Sequence, residues 1–107
     1  FKVKELEKVK ILRYENGGKY KWHTDCGAKE TSLRKLTAIV QLSDETKYEG
    51  GNLEFGITDK SGKNNYTAPR TRGSITIFPS FLSHRVTPVT KGKRYSLITW
   101  MLGDCFV

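Results

Sequence analysis

The chain contains only two histidines, and one of them has a carboxylate two residues away. His23 lies in Trp22-His23-Thr24-Asp25, and His84 lies in Ser83-His84-Arg85-Val86. If residues 23 to 25 are extended, side chains i and i+2 fall on one side of the strand. An imidazole and a carboxylate then converge. A facing strand carrying His84 would complete a set of two histidines and one carboxylate. Such a set covers one face of octahedral Fe(II) and leaves three positions open. The pattern H-x-D is common by itself, and a lone histidine is more often a packed or surface residue than a ligand. The metal reading therefore depends on what surrounds these three residues.

Three open positions need occupants. 2-Oxoglutarate would chelate two of them through its 1-carboxylate and keto oxygen, and O2 would take the last. The far carboxylate of that cosubstrate would then be buried, and a buried anion needs a charge partner and hydrogen bonds. Arginine offers a fork matched to a carboxylate and stays charged in any environment. Arg94 follows His84 by ten residues and opens the run Tyr95-Ser96-Leu97-Ile98-Thr99-Trp100-Met101. Ser96 shares a strand face with Arg94 and adds a hydroxyl there. Arg94 is also one of 19 Lys and Arg residues, most of them expected on the surface. The apolar run directly after it favours burial.

The elements that must position these residues read as strands. Gly, Asn and Asp punctuate the chain at Asn16-Gly17-Gly18, Gly50-Gly51-Asn52, Ser61-Gly62-Lys63-Asn64-Asn65, Gly73 and Lys91-Gly92-Lys93. Between them lie short runs rich in β-branched and aromatic residues: 9–14, 20–23, 36–42, 53–57, 74–78, 84–89 and 95–102. Several short strands at regular spacing predict an all-β sandwich or barrel with few or no helices. Only residues 2–8 would tolerate a helix. The polar stretch 58–67 reads as a surface loop, and the segments 26–33 and 44–48 are expected to form the mouth of the barrel. Trp22 and Arg85 flank the histidines along their strands and are expected to point away from the ligand side. Tyr20 and Trp100 are candidates for stacking on a substrate ring, but residues of this kind are more often packed in the core.

We expect residues 1–107 to form one domain. The chain begins at Phe1 without an initiator Met, so a fragment with elements missing before it is expected. Nineteen cationic side chains against 11 carboxylates give a net charge of +8, which favours anionic partners. The lysines are spread along the chain, so a dedicated nucleic-acid face is not expected. Cys26 and Cys105 make neither a disulfide framework nor a zinc-type pair, and two free thiols are expected. No apolar run approaches the ~20 residues of a membrane span, and no signal peptide is visible. A cytoplasmic protein is the default expectation.

At this point the residues resemble a known family. The stretch Pro69 to Trp100 is similar to the C-terminal half of prolyl-4-hydroxylase-like Fe(II)/2-oxoglutarate-dependent dioxygenases. Gly73, Phe78, Pro79, His84, Val86, Pro88, Val89, Gly92, Arg94 and Trp100 carry the match. The first half matches through Tyr14, Gly18, Tyr20, His23 and Asp25, then LTAIVQLSD, then Tyr48-Glu49-Gly50-Gly51-Asn52-Leu53. The resemblance covers nearly the whole chain in the family's order.

It implies a double-stranded β-helix, a jelly-roll or cupin-like barrel of two antiparallel sheets. It implies Fe(II) held by His23, Asp25 and His84, and Arg94 on the 5-carboxylate of 2-oxoglutarate. Tyr14 and Ser96 would reach the cosubstrate, with Leu53 and Val86 as apolar lining. The implied reaction hydroxylates an unactivated C–H, with 2-oxoglutarate and O2 converted to succinate and CO2 and with ascorbate as reductant. A prolyl residue in a peptide or protein is the first choice of substrate, by analogy with the family. Asp25 favours hydroxylation over halogenation, because related halogenases lack the carboxylate.

Two departures stand out. Gln41 takes the position where some relatives place a tyrosine on the cosubstrate, and the helices that buttress one sheet in many members are missing. The alternatives are a barrel of the same fold acting on nucleic acid or a free amino acid, and a metal-free barrel that binds an anion. Nucleic-acid demethylases of this fold follow their arginine with Asn two residues on and a second Arg six residues on. Here those positions hold Ser96 and Trp100, which speaks against that branch.

Overall fold

A computed structural model of the chain describes residues 3–104, apart from the side chains of residues 29 and 30. Ten strands form two antiparallel sheets. In chain order they are β1 (Val3–Leu6), β2 (Lys10–Glu15), β3 (Tyr20–His23), β4 (Arg34–Gln41), β5 (Tyr48–Gly50), β6 (Leu53–Thr58), β7 (Asn65–Thr67), β8 (Ile75–Pro79), β9 (His84–Val86) and β10 (Val89–Gly103). Two short 3-10 turns, Lys29–Leu33 and Glu45–Lys47, are the only helical pieces among the described residues. The larger sheet runs β1-β10-β4-β8, with β2 and β5 also paired to β10. The smaller sheet runs β3-β9-β6-β7. The chain passes repeatedly from one sheet to the other, as the all-β reading requires.

Strand alternation sorts the side chains. In β10, Arg94, Ser96, Ile98 and Trp100 are buried, while Tyr95 is exposed and Leu97 and Thr99 are half-buried. Register extends the inner face across neighbouring strands in rungs. Arg94 pairs with Tyr14; Ser96 pairs with Leu12 and Gln41; Ile98 pairs with Lys10 and Ile39; Trp100 pairs with Thr37. On the smaller sheet, Leu53, Val86 and Tyr20 form one rung, and Phe55, His84 and His23 form the next. The apolar members of these rungs, with Phe78 and Val89, make the core between the sheets. Full burial of each large side chain stabilises the fold by about 1.5–3 kcal/mol.

Several expectations are corrected. Where residues 2–8 would have tolerated a helix, Val3–Leu6 is a strand on the end of β10. The stretch 58–67 is not loop throughout, because Asn65–Thr67 pairs with β6. Segment 44–48 does not lie at the mouth. Tyr48 pairs with Gly92 at the Arg94 end of β10, away from Trp100 and the histidines. Cys26 is a free, half-buried thiol, and Cys105 lies outside the described residues. No helix among the described residues is long and apolar enough to cross a membrane. The outer face of the larger sheet carries exposed Ile11, Ile75 and Ile77.

Candidate active site

The rung Phe55–His84–His23 sets two imidazoles side by side, with ring centroids 4.2 Å apart. Their placement depends on a bulge. Tyr20 pairs with Val86 and His23 with His84, so three steps along β3 match two along β9. The extra residue lets Tyr20 and His23 both face inward, where simple alternation would separate them. The Tyr20 ring stacks on His23 at 3.9 Å between centroids and 28° between planes. Trp22 and Arg85 face outward as expected, with the Arg85 guanidinium 4.8 Å from the Trp22 ring and paired to Glu54.

Asp25 reaches the histidines by a different route from the one alternation suggests. β3 ends at His23, and Asp25 sits in the bend beyond it, its N–H donating to the Ser80 carbonyl at 2.9 Å. Its Oδ1 lies 3.2 Å from His23 Nε2 and 3.4 Å from His84 Nε2. Its Oδ2 accepts from Thr37 Oγ1 at 2.7 Å and from Trp100 Nε1 at 3.1 Å. Thr37 also bonds Ser80 Oγ at 3.0 Å, and both residues are fully buried. One carboxylate oxygen is thus anchored, and the other is turned toward the imidazoles.

The histidine tautomers follow from their other nitrogens. His23 Nδ1 lies 2.7 Å from the Lys21 carbonyl, and His84 Nδ1 lies 2.9 Å from the Leu82 carbonyl. A carbonyl only accepts, so each Nδ1 carries the proton and each neutral Nε2 presents a lone pair. Two lone pairs and a carboxylate oxygen therefore meet at one point. That arrangement requires a cation or extra protons. The donor set of two imidazole nitrogens and one carboxylate oxygen suits Fe(II), and backbone carbonyls on the far nitrogens are the outer shell that metal-bound histidines use. Among the described residues, His23, Asp25 and His84 are the one group with metal-ligand convergence, their ligand atoms all within 4.8 Å of one another.

Protonation follows the same contacts. When protons take the place of a cation on the two Nε2 atoms, burial opposes the Asp25 charge, but hydrogen bonds from His23, His84, Thr37 and Trp100 outweigh it and hold the carboxyl well below the usual carboxylate range. Burial lowers the His23 imidazole, but the Asp25 carboxylate and the Lys21 carbonyl outweigh it, and the net displacement is upward.

A cavity of about 240 Å³ opens from this cluster. Arg94 and Ser96 line its other end with Tyr14, and Leu53 and Val86 form part of its wall. All eight predicted site residues therefore border one space. Arg94 is 1% exposed, yet its Nε and Nη1 have no hydrogen-bond partner. A buried guanidinium with open donors calls for an anion, and a carboxylate is the group its geometry matches. Burial lowers the Arg94 pKa, partly offset by the phenols of Tyr14 and Tyr48, and an arginine so displaced stays cationic. Gln41 is buried beside Ser96 but does not line the cavity.

Residues 9–102 match the family model described as the 2OG-Fe(II) oxygenase superfamily. The chain belongs to that superfamily. A PKHD-type hydroxylase of Synechococcus sp. (strain CC9605) is 32% identical over 99 residues, covering 92% of this chain and 43% of that protein. The chain thus spans less than half the length of the curated relatives it matches first. Among solved structures, a Pseudomonas putida prolyl-4-hydroxylase superposes with a TM-score of 0.79 at 23% identity, covering 95% of this chain and 55% of that one. A Trichoplax adhaerens prolyl hydroxylase, solved with a hypoxia inducible factor peptide fragment, superposes with a TM-score of 0.73 at 18% identity, covering 92% and 44%. These likenesses identify the fold as the double-stranded β-helix of the prolyl 4-hydroxylases.

The sequence singles out the three residues that converge, and Arg94, but not what holds them. Thr37 gave a signal: it shares a face with Ile39 inside an apolar strand, where an unpaired hydroxyl would be costly. Ser80 gave none, because its anchoring of Asp25 uses a backbone carbonyl. Trp100 was placed either on a substrate ring or in the core; it is buried and donates to Asp25.

Proposed function

We propose that this domain is an Fe(II)- and 2-oxoglutarate-dependent hydroxylase acting on a prolyl residue in a peptide or protein. One observation carries the reading: a lone-pair cluster that calls for a cation and a buried guanidinium that calls for a carboxylate border a single cavity. In this reading His23 Nε2, His84 Nε2 and Asp25 Oδ1 hold the iron. Arg94 takes the far carboxylate of 2-oxoglutarate through its guanidinium. Tyr14 and Ser96 offer hydroxyls at the same end, and Leu53 and Val86 shield the carbon chain from water. The bound iron, 2-oxoglutarate and O2 supply the oxidising chemistry that yields succinate, CO2 and a hydroxylated C–H, with ascorbate as reductant. The protein's share is to fix the positions and exclude water.

The names of the relatives support the prolyl substrate, and the peptide bound to the Trichoplax enzyme supports a peptide or protein partner. The test is incubation with Fe(II), ascorbate, 2-oxoglutarate and a panel of proline-containing peptides beside methylated oligonucleotides. Iron-dependent succinate and a gain of one oxygen on a peptide support the reading. Loss of methyl groups from the oligonucleotides would move the substrate to nucleic acid. Absence of iron-dependent succinate from both sets would contradict the oxygenase reading of this domain.

A further inference from the structure

Arg70 follows β7 and belongs to none of the sets described so far. Its guanidinium gathers the segment that begins at β5. Nη1 donates to the Gly50 carbonyl at 2.6 Å and to Asn52 Oδ1 at 2.5 Å, and Nη2 donates to the Tyr48 carbonyl at 3.3 Å. The same group lies over the Tyr48 ring, 4.3 Å from its centroid. Every one of these partners lies in residues 48–52, so one side chain ties down a whole turn.

That turn presses on Arg94. Gly50 and Gly51 both have positive φ, +75° and +64°. A Cβ on Gly51 would lie 3.0 Å from Arg94 Cδ, 2.8 Å from Val89 Cγ2 and 3.4 Å from the Tyr48 ring. Only a bare backbone approaches the arginine stem so closely. A Cβ on Gly50 would lie 2.0 Å from the Pro88 carbonyl oxygen, so the turn is also seated against the start of β10. On the other side, the Tyr14 ring centroid lies 5.2 Å from the Arg94 guanidinium carbon. Arg94 is held between Tyr14 and this turn, and Nε and Nη1 are left without partners.

We propose that Arg70 is a positioning residue for the cosubstrate: by clamping Tyr48, the Gly50–Gly51 turn and Asn52, it sets the orientation in which Arg94 offers its guanidinium to a dicarboxylate. The proposal rests on the reading of Arg94 as the carboxylate partner. Arg70 does not line the cavity, so it acts through Arg94 and not on the ligand. Its charge repels that of Arg94, which makes an electrostatic benefit to Arg94 itself an unsuitable explanation for its presence. The hydrogen-bond geometry accounts for it. The clamp is remote from the metal ligands, so cosubstrate affinity and metal affinity are separately adjustable.

The test is calorimetric titration of 2-oxoglutarate into the Mn(II)-loaded protein, with Mn(II) affinity and unfolding temperature measured in parallel. Arg70→Met is expected to weaken 2-oxoglutarate about tenfold, the scale of losing an outer-shell support, with Mn(II) affinity within about twofold of wild type. Arg70→Lys keeps the charge but loses the fork, and is expected to fall between the two. Asn52→Ala, which removes the side-chain oxygen that Arg70 holds and keeps the turn's backbone, is expected to weaken the ligand severalfold and covers the case in which Arg70→Met fails to fold. In turnover, KM for 2-oxoglutarate rises while kcat at saturation holds. Unchanged 2-oxoglutarate affinity in folded Arg70→Met or in Asn52→Ala, or an equal loss of Mn(II) affinity, overturns the clamp. Failure of the wild type itself to bind 2-oxoglutarate would remove the Arg94 reading and the clamp together.

Discussion

Replacing Thr37 by Val keeps the β-branched shape and removes one hydroxyl. That hydroxyl donates to Asp25 Oδ2 at 2.7 Å and also meets Ser80 Oγ at 3.0 Å, in a fully buried position. A hydrogen bond to a charged group contributes about 1.5–3 kcal/mol. At 1.4 kcal/mol per factor of ten, that is about tenfold to a hundredfold in an equilibrium constant. Trp100 Nε1 still holds the same oxygen at 3.1 Å, so the loss belongs near the lower end. The effect reaches the metal because the hydroxyl fixes which carboxylate oxygen faces the two imidazoles. With it gone, Asp25 rotates more freely and binds protons more readily, and both changes weaken the ligand. We predict that Mn(II) or Co(II) affinity, measured by calorimetry, falls about tenfold in Thr37→Val. Thr37→Ser, which keeps the hydroxyl, should remain within about threefold of wild type. Metal affinity within twofold of wild type in a Thr37→Val protein of unchanged circular dichroism would refute the argument.

Four further predictions follow from the site. Arg94→Gln removes the buried charge and the fork, and should weaken 2-oxoglutarate by about 2 kcal/mol or more, a factor of about 30 or greater, with Mn(II) affinity little changed in parallel titrations. The metal must displace a proton from His23, whose pKa stays above its ordinary 6.5 because Asp25 and the Lys21 carbonyl outweigh burial, so apparent metal affinity should still be climbing as pH passes 6.5 and level off only above it; a flat profile would contradict it. In the metal-free protein the same raised pKa has a fixed sign: the stabilisation is full below the ordinary value of 6.5 and is lost as pH rises through the folded value, whereas that from Asp25 is present above 3.8 and is lost only well into acid, as thermal unfolding against pH would record. Trp22→Ala, although adjacent to a ligand, should leave metal affinity within about twofold, because its ring faces outward against Arg85.

The legible part of this protein was its side-chain chemistry. Two histidines, an aspartate and an arginine before an apolar run are rare enough to be singled out, and alternation along β10 placed Arg94 and Ser96 on one buried face as expected. Alternation failed where the strand was irregular. The extra residue between Tyr20 and His23 is a property of pairing with β9, which a single strand cannot display. Asp25 converges on His23 through the Ser80 backbone, so the expected outcome arose from a contact 55 positions away and not from an extended H-x-D. Strands β1, β5 and β7 were missed because each exists through a neighbour: Lys4 and Glu5 show no apolar pattern, and Tyr48–Gly50 reads as the start of a turn. The clamp of Arg70 on residues 48–52 is made largely with backbone carbonyls and left no trace in residue types.

The central claim is that one cation and one dicarboxylate share this cavity, held by named atoms at its two ends. A crystal structure of the protein with Mn(II) and 2-oxoglutarate, grown without oxygen, tests it most directly. The account predicts one ion bound by His23 Nε2, His84 Nε2 and Asp25 Oδ1, and a carboxylate paired with the Arg94 guanidinium. An ion bound elsewhere, or a 2-oxoglutarate whose carboxylates both avoid Arg94, would contradict it.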